Sequence, residues 1–195
     1  MSDGEIPQVW VAAGRMGSFG LLVKFCLLTG ARRGEAASLK WSDVLNDRVM
    51  IAAENTKQGR RHAIAKTTLI NEVLEEAAQH RFVSSELVFP GRAGRPFSGF
   101  SKALNRLIEQ AGTDRFSMHD TRRTCRTVLG RLGFSNEVQR QCVGQQAEAL
   151  DRVYNKDDNW DSRCEAFKAY HSHIRSLVDG NVISFKENAQ ALAAG

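Results

Sequence analysis

The sequence predicts a mainly helical domain with one small antiparallel β-sheet, an α+β fold. Two observations carry this expectation. Apolar residues recur at helical spacing in five stretches between residues 17 and 178. Strand-like runs occur only as a pair, at 48–53 and 61–65, around a polar turn. The 195 residues are 42% hydrophobic and 25% charged, which suits one globular domain with a sizeable core and argues against disorder.

Residues 17–29 carry Phe19, Leu21, Leu22, Phe25 and Leu28 and close at Gly30, a residue suited to a helix end. A short helix follows through Glu35 to Leu39. Asn55 and Gly59 then mark the polar tip of a hairpin. Thr67 or Thr68 opens a helix to about His80, with Leu69, Val73, Leu74 and Ala77 on one face. Residues 89–96 are a loop rich in Gly and Pro. Ser98 or Ser101 opens the next helix, which carries Phe100, Leu104, Leu107 and Ile108. A helix from His119 to Leu132 closes at Gly133. Ser135 caps the one after it, with Glu137 near the positive end of the dipole. A short segment, 148–154, leads to a polar break. The last helix runs from about Trp160 to Val178, on a stripe of Trp160, Cys164, Phe167, Tyr170, Ile174 and Leu177. Residues 179–195 are read as a C-terminal tail.

Several function classes drop out. Lys and Arg number 27 against 22 Asp and Glu, a net charge of +5 that favours a polyanionic partner. The longest apolar run, 19–28, is broken by Lys24 and falls far short of the ~20 residues a membrane span needs. The N-terminus has no signal-peptide pattern, so a cytoplasmic location is expected. Cys26, Cys125, Cys142 and Cys164 form no CxxC pair and read as reduced thiols. The histidines lack ligand spacing, and there is no GxGxxG or Walker loop. Neither metal nor cofactor is expected.

The basic residues are the main candidates for chemistry. Arg32 and Arg33 follow the helix end at Gly30, and Lys57 sits at the hairpin tip. Residues 57–66 hold Lys57, Arg60, Arg61 and Lys66 and no acid. Residues 113–140 hold six arginines against three acids. For a single arginine a solvated surface is the commoner outcome, but clustering at element ends weighs the other way. His119 and Arg122, three apart on one helix, share a face. A guanidinium grips two phosphate oxygens, and an imidazole can move a proton. The plainer reading of His119 is a helix cap or a satisfied core imidazole. Of the two tyrosines, Tyr170 belongs to the apolar stripe. Tyr154 precedes the polar run 155–159, a setting in which an accessible hydroxyl is expected; its plainer reading is a half-buried packing residue.

These residues fall in an order that resembles a known family. Thr29-Gly-Ala-Arg-Arg-Gly-Glu-Ala resembles the TGxRxxE box of tyrosine recombinases, the phage-integrase family. Leu39-Lys-Trp-Ser-Asp-Val resembles the segment leading into that family's small sheet, and Asn55-Thr-Lys-Gln-Gly-Arg-Arg-His its lysine-bearing hairpin. Leu87-Val-Phe-Pro precedes the usual loop and helix. Met118-His-Asp-Thr-Arg-Arg-Thr resembles the HxLRRT or HxLRHT box. Cys142-Val-Gly-Gln stands at the LGH box, and Tyr154 follows Gln145 by nine positions, the family's offset. The similarity runs in one order from about residue 5 to 178.

The resemblance implies a catalytic domain over 1–178 that recombines double-stranded DNA at specific sites. Arg32 and Arg122 would clamp the scissile phosphate, Lys57 would protonate the departing 5′ oxygen, and His119 would assist proton transfer. Tyr154 would form a 3′-phosphotyrosyl bond, and Glu35 would brace Arg32. It also implies a bacterial or phage-encoded protein, monomeric in solution and tetrameric on DNA. The tail 179–195 would be exchanged between protomers, and the N-terminal DNA-clamping domain of full members would lie outside this chain. Two residues depart from the pattern. Thr121 stands for Leu, a packing change. Gln145 stands for His or Trp; its amide donates a hydrogen bond but carries no charge, which implies reduced or altered activity. Two alternatives stay open at this point: relaxation of supercoils in the manner of a type IB topoisomerase, and a decayed relative that binds DNA without cutting it.

Overall fold

The computed structural model describes residues 1–56, 59–145 and 159–193, the last thirteen of these by backbone alone. In chain order the elements are α1 (Glu5–Ala13), α2 (Gly17–Thr29), α3 (Arg33–Ala37), β1 (Arg48–Ile51), β2 (His62–Ala65), α4 (Thr68–Gln79), α5 (Phe100–Ala111), α6 (Met118–Arg131), α7 (Asn136–Cys142) and α8 (Trp160–Ala193). The mainly helical class and the single two-stranded antiparallel sheet agree with the sequence. No helix among the described residues is long and apolar enough to cross a membrane.

The axis of the fold is α2. It is apolar around its whole circumference and packs against α1, α3, α4, α6 and α8. Its one charged residue, Lys24, is 8% exposed, lies 3.4 Å from Glu76 Oε2 and sits over the Trp10 ring. The charge is therefore buried with partners, as burial requires. β1 and β2 pair with Ile51 opposite His62, so residues 52–61 form the connection. That loop is longer than a tight hairpin turn and contains a 3-10 turn at Ala53–Asn55. Val49, Ile51, Ile64 and Ala65 are buried.

Three expectations need correction. First, α1 was not anticipated, although Ile6, Val9, Ala12 and Ala13 are buried at helical spacing. Second, neither Ser98 nor Ser101 caps α5. Gly99 holds the cap position at φ +75°, with no side-chain cap. Phe97 and Phe100 fix the start by meeting edge to face at 5.0 Å, and Phe97 stacks on Phe19 at 5.1 Å. Aromatic burial outweighs the modest worth of a cap here. Third, the last helix does not stop at Val178 but continues to Ala193. The sequence 186–193 is rich in helix formers, and Gly180 alone does not end the run.

The inner face of α8 joins it to α2. Phe167, Tyr170 and Ile174 are fully buried, and the Tyr170 hydroxyl donates to the Leu27 carbonyl at 2.8 Å. His171 is 4% exposed and lies 2.8 Å through Nε2 from the Leu28 carbonyl and 2.6 Å through Nδ1 from Thr67 Oγ1. A carbonyl only accepts, so Nε2 carries the proton and Nδ1 accepts from the threonine. Burial holds this imidazole neutral, at a pKa of about 4 against an ordinary 6.5. The neutral form is the folded form. Its stabilisation is complete above pH 6.5 and is lost as pH falls toward 4. At pH 5 the loss from His171 is about 2 kcal/mol. Urea unfolding at pH 7.5 and pH 5 checks this, and His171→Gln, which keeps both hydrogen bonds, is expected to flatten that part of the dependence.

Candidate active site

The end of α2 starts the site. Gly30 takes φ +64° and its amide donates to the Cys26 carbonyl at 2.9 Å. A Cβ here would fall 2.6 Å from Val143 Cγ1, so a side chain is excluded twice, by conformation and by space. The chain turns into α3, and Arg32 sits at its start. The Glu35 carboxylate accepts from the Arg32 amide at 2.7 Å and from Arg32 Nη1 at 2.5 Å. Glu35 is 3% exposed, so it braces Arg32 from inside while the guanidinium stays partly open.

α6 supplies the second arginine. Ser117 caps it, donating from its amide and hydroxyl to Asp120 Oδ2 at 2.8 and 2.7 Å. These bonds hold the Asp120 carboxyl down at about 2. His119 is exposed one turn before Arg122 and is neither a cap nor a core residue. Thr121 is buried and returns its hydroxyl to the Met118 carbonyl at 2.8 Å, a local packing role. Arg122 is only 2% exposed. Its Nη1 donates to the Gly30 carbonyl at 2.8 Å, while Nε and Nη2 have no partner among the described residues. Burial pushes its pKa down to about 10; the Arg32 charge acts in the same sense and Glu35 in the opposite one. The Arg32 charge is thus felt at Arg122, which is bonded to the turn at Gly30 that precedes Arg32.

Just past α7 the chain turns at Gly144 (φ +64°), and the Gln145 amide N–H donates to the Arg140 carbonyl at 2.8 Å. The Gln145 side chain meets Arg126, one turn beyond Arg122 on α6. His62 of β2 lies 3.1 Å through Nε2 from the Cys142 carbonyl and packs so close to Gly144 that a Cβ there would sit 3.0 Å from its ring. Desolvation first, then the Arg163 charge, hold it neutral at about 3. The sheet is thus fastened to the Gln145 segment.

Lys57 and Tyr154 lie outside the described residues. The loop ends around Lys57 are described. Thr56 Oγ1 lies 2.9 Å from the Arg60 carbonyl and accepts from its amide at 3.0 Å. Cys26, Cys125 and Cys142 are buried free thiols, pushed up by desolvation, Cys142 to about 12. Among the described residues no group of three or more His, Cys, Asp and Glu could hold a metal ion.

A sequence model of the phage integrase family matches residues 18–159, most of the chain and all the boxes above. The chain belongs to the phage integrase family. It is 23% identical over 145 residues to the tyrosine recombinase XerH of Campylobacter jejuni, covering 71% of this chain and 41% of that protein. Solved structures share the fold. A lambda integrase (75-356) dimer bound to a COC' core site matches with a TM-score of 0.61 and 17% identity, over 80% of this chain and 60% of that one. XerH bound to difH substrate, a pre-cleavage complex, matches at 0.62 and 21%, over 79% and 49%. XerA recombinase matches at 0.63 and 20%, over 85% and 64%. The chain spans less than two thirds of the length of each of these relatives.

The sequence-based candidates do not include Arg126 or His62, which the structure of this integrase-family chain ties to the Gln145 side chain and to the Cys142 carbonyl. Arg126 had a signal, its i+4 spacing from Arg122. His62 had none. Gly30→Ala is expected to destabilise the fold by about 2–3 kcal/mol, combining left-handed strain with the displaced Val143. Denaturant unfolding measures it; Val143→Ala in the same chain should recover the steric part.

Proposed function

We propose that this chain is the catalytic domain of a site-specific tyrosine recombinase that cuts and rejoins double-stranded DNA. The observation that carries the reading is Arg122. A guanidinium buried at 2% exposure with two nitrogens unpartnered among the described residues is costly unless an anion completes it. A phosphodiester does so through two parallel hydrogen bonds, and Arg32 brings a second cation to the same place.

In the proposed reaction the Tyr154 oxygen attacks the scissile phosphorus, and its proton passes to solvent with the help of His119. The bond from phosphorus to the 5′ oxygen breaks, and that oxygen takes a proton from Lys57. A 3′-phosphotyrosyl ester remains. Attack adds negative charge to the non-bridging oxygens, and the fixed arginines stabilise that charge more in the transition state than in the ground state. His119, exposed at the start of α6, assists proton transfer, and Gln145 donates to a phosphate oxygen. The ester preserves the bond energy, so a 5′ hydroxyl can reverse the step without ATP.

The partner we propose is duplex DNA, bound by a tetramer that assembles on it from monomers. A lambda integrase tetramer bound to a Holliday junction is among the structures that share this fold. The part of α8 beyond Val178 is the segment we propose to pass to a neighbouring protomer. The setting we propose is a bacterial cytoplasm, with the protein encoded by a phage or another mobile element.

The test is a nicked suicide duplex carrying a cleavable site. The expected result is a covalent protein–DNA adduct stable to denaturant, with binding that weakens steeply with salt, at a log–log slope of ~0.9 per phosphate contacted. Exchange of strands between two sites separates recombination from mere relaxation of one plasmid. Binding with no adduct would instead mark a DNA-binding relative that no longer cuts.

A further inference from the structure

Gln145 brings an uncharged amide to the phosphate site, and Arg126 stands directly behind it. We infer that the two act as one unit, in which Arg126 is a positioning residue that fixes the Gln145 amide and lends it the positive charge glutamine lacks. The inference rests on the reading of the cleft as a phosphate site and assigns a residue to it.

The geometry is specific. Arg126 Nη1 donates to Gln145 Oε1 at 2.9 Å, and Nη2 donates to Asn136 Oδ1 at 3.1 Å. The fork is held by two amide oxygens, one at the start of α7 and one just past its end. Neither acceptor is a carboxylate, and among the described residues no acid pairs with Arg126. Its Nε is buried without a partner among the described residues.

The amide orientation follows from chemistry. Turned the other way, the Gln145 NH2 would face the guanidinium, donor against donor. With its oxygen held by Arg126, the two N–H donors point away from that guanidinium. A cation on the carbonyl also draws electron density from the amide and strengthens those donors. The main chain cannot swing freely, because the Gln145 amide is tied to Arg140 and Gly144 is packed on His62. Arg126 lies one helical turn, about 5.4 Å, from Arg122, and its charge is felt there. The pair therefore sits beside the buried guanidinium that awaits an anion.

Reciprocal replacement tests the unit. Arg126→Ala and Gln145→His are each expected to slow adduct formation at saturating DNA by about tenfold. In the first, the amide loses its clamp and its charge. In the second, an imidazole held by Arg126 stays neutral beside a like charge. The double variant frees the imidazole to ionise. Its rate is expected to return to within about threefold of the unaltered chain, with a new fall in rate above the imidazole pKa, ~6.5. A purely structural Arg126 gives neither the rescue nor the pH limb. Additive losses, or an unchanged rate in Arg126→Ala, overturn the inference. A second readout does not need cleavage. In 15N-labelled Tyr154→Phe protein, the Gln145 side-chain amide should shift when a short duplex is added, and the shift should vanish in Arg126→Ala. A shift in both, or in neither, overturns the pairing. Absence of any adduct from the unaltered chain instead strikes the reading of the site, and the amide signal still decides the pair.

Discussion

Tyr154→Phe is expected to abolish the covalent adduct while leaving DNA affinity within about twofold, since phosphate contacts dominate binding. The sequence has only two phenols. Tyr170 is fully buried, its hydroxyl is committed to the Leu27 carbonyl at 2.8 Å, and burial raises its pKa well above the ordinary value. It can neither reach a DNA phosphate nor ionise near neutral pH. Tyr154 is the remaining candidate, at the family's distance from Gln145. A phenylalanine there keeps the ring and removes the nucleophilic oxygen, so the ester cannot form. Tyr170→Phe is the matched control. It strips a buried carbonyl of its donor, which should cost about 1–2 kcal/mol of stability. Adduct should still form at temperatures where the variant is folded. Gel-shift binding and denaturing gels of the two variants decide the matter. An adduct that survives in Tyr154→Phe and disappears in Tyr170→Phe reverses the assignment.

The legible parts of this fold were those whose signal is local. Gly30 and Gly133 closed their helices where the sequence placed them, because each takes a backbone angle that other residues resist. Ser135 and Thr67 cap α7 and α4 through bonds to Val138 and Ile70. The stripe of α8 put Tyr170 in the core from spacing alone. What failed depended on contacts distant in sequence. The start of α5 is set by Phe19, nearly eighty residues away, so the nearby serines misled. The site shows the same division. Boxes in order named Arg32, Arg122 and Gln145, and Glu35 was correctly read as a brace. Nothing in the order revealed that Arg122 would be buried against Gly30, or that Arg126 would turn to Gln145 instead of solvent. Charge runs carry no direction until the helix that bears them is docked.

Arg122→Met is expected to separate function from stability more sharply than any other single change. Arg122 is a large buried side chain that satisfies one partner, the Gly30 carbonyl, and leaves two of its own nitrogens unpaired among the described residues. An apolar chain of similar length removes the buried charge and those two orphans, at the cost of one lost bond to Gly30. The terms nearly offset, so the unfolding free energy of the DNA-free protein should stay within about 1 kcal/mol or rise. Cleavage should fall about a thousandfold or more, because the donors that in the proposed reaction meet the developing charge are gone. Arg122→Lys returns a point charge without the planar fork and should recover only part of that loss. Single-turnover adduct rates and urea unfolding, measured on the same preparations, test both halves. If Arg122→Met loses several kcal/mol of stability in step with its activity, the guanidinium is a structural tie between α6 and the end of α2. In that case the unpaired nitrogens are not evidence for a phosphate.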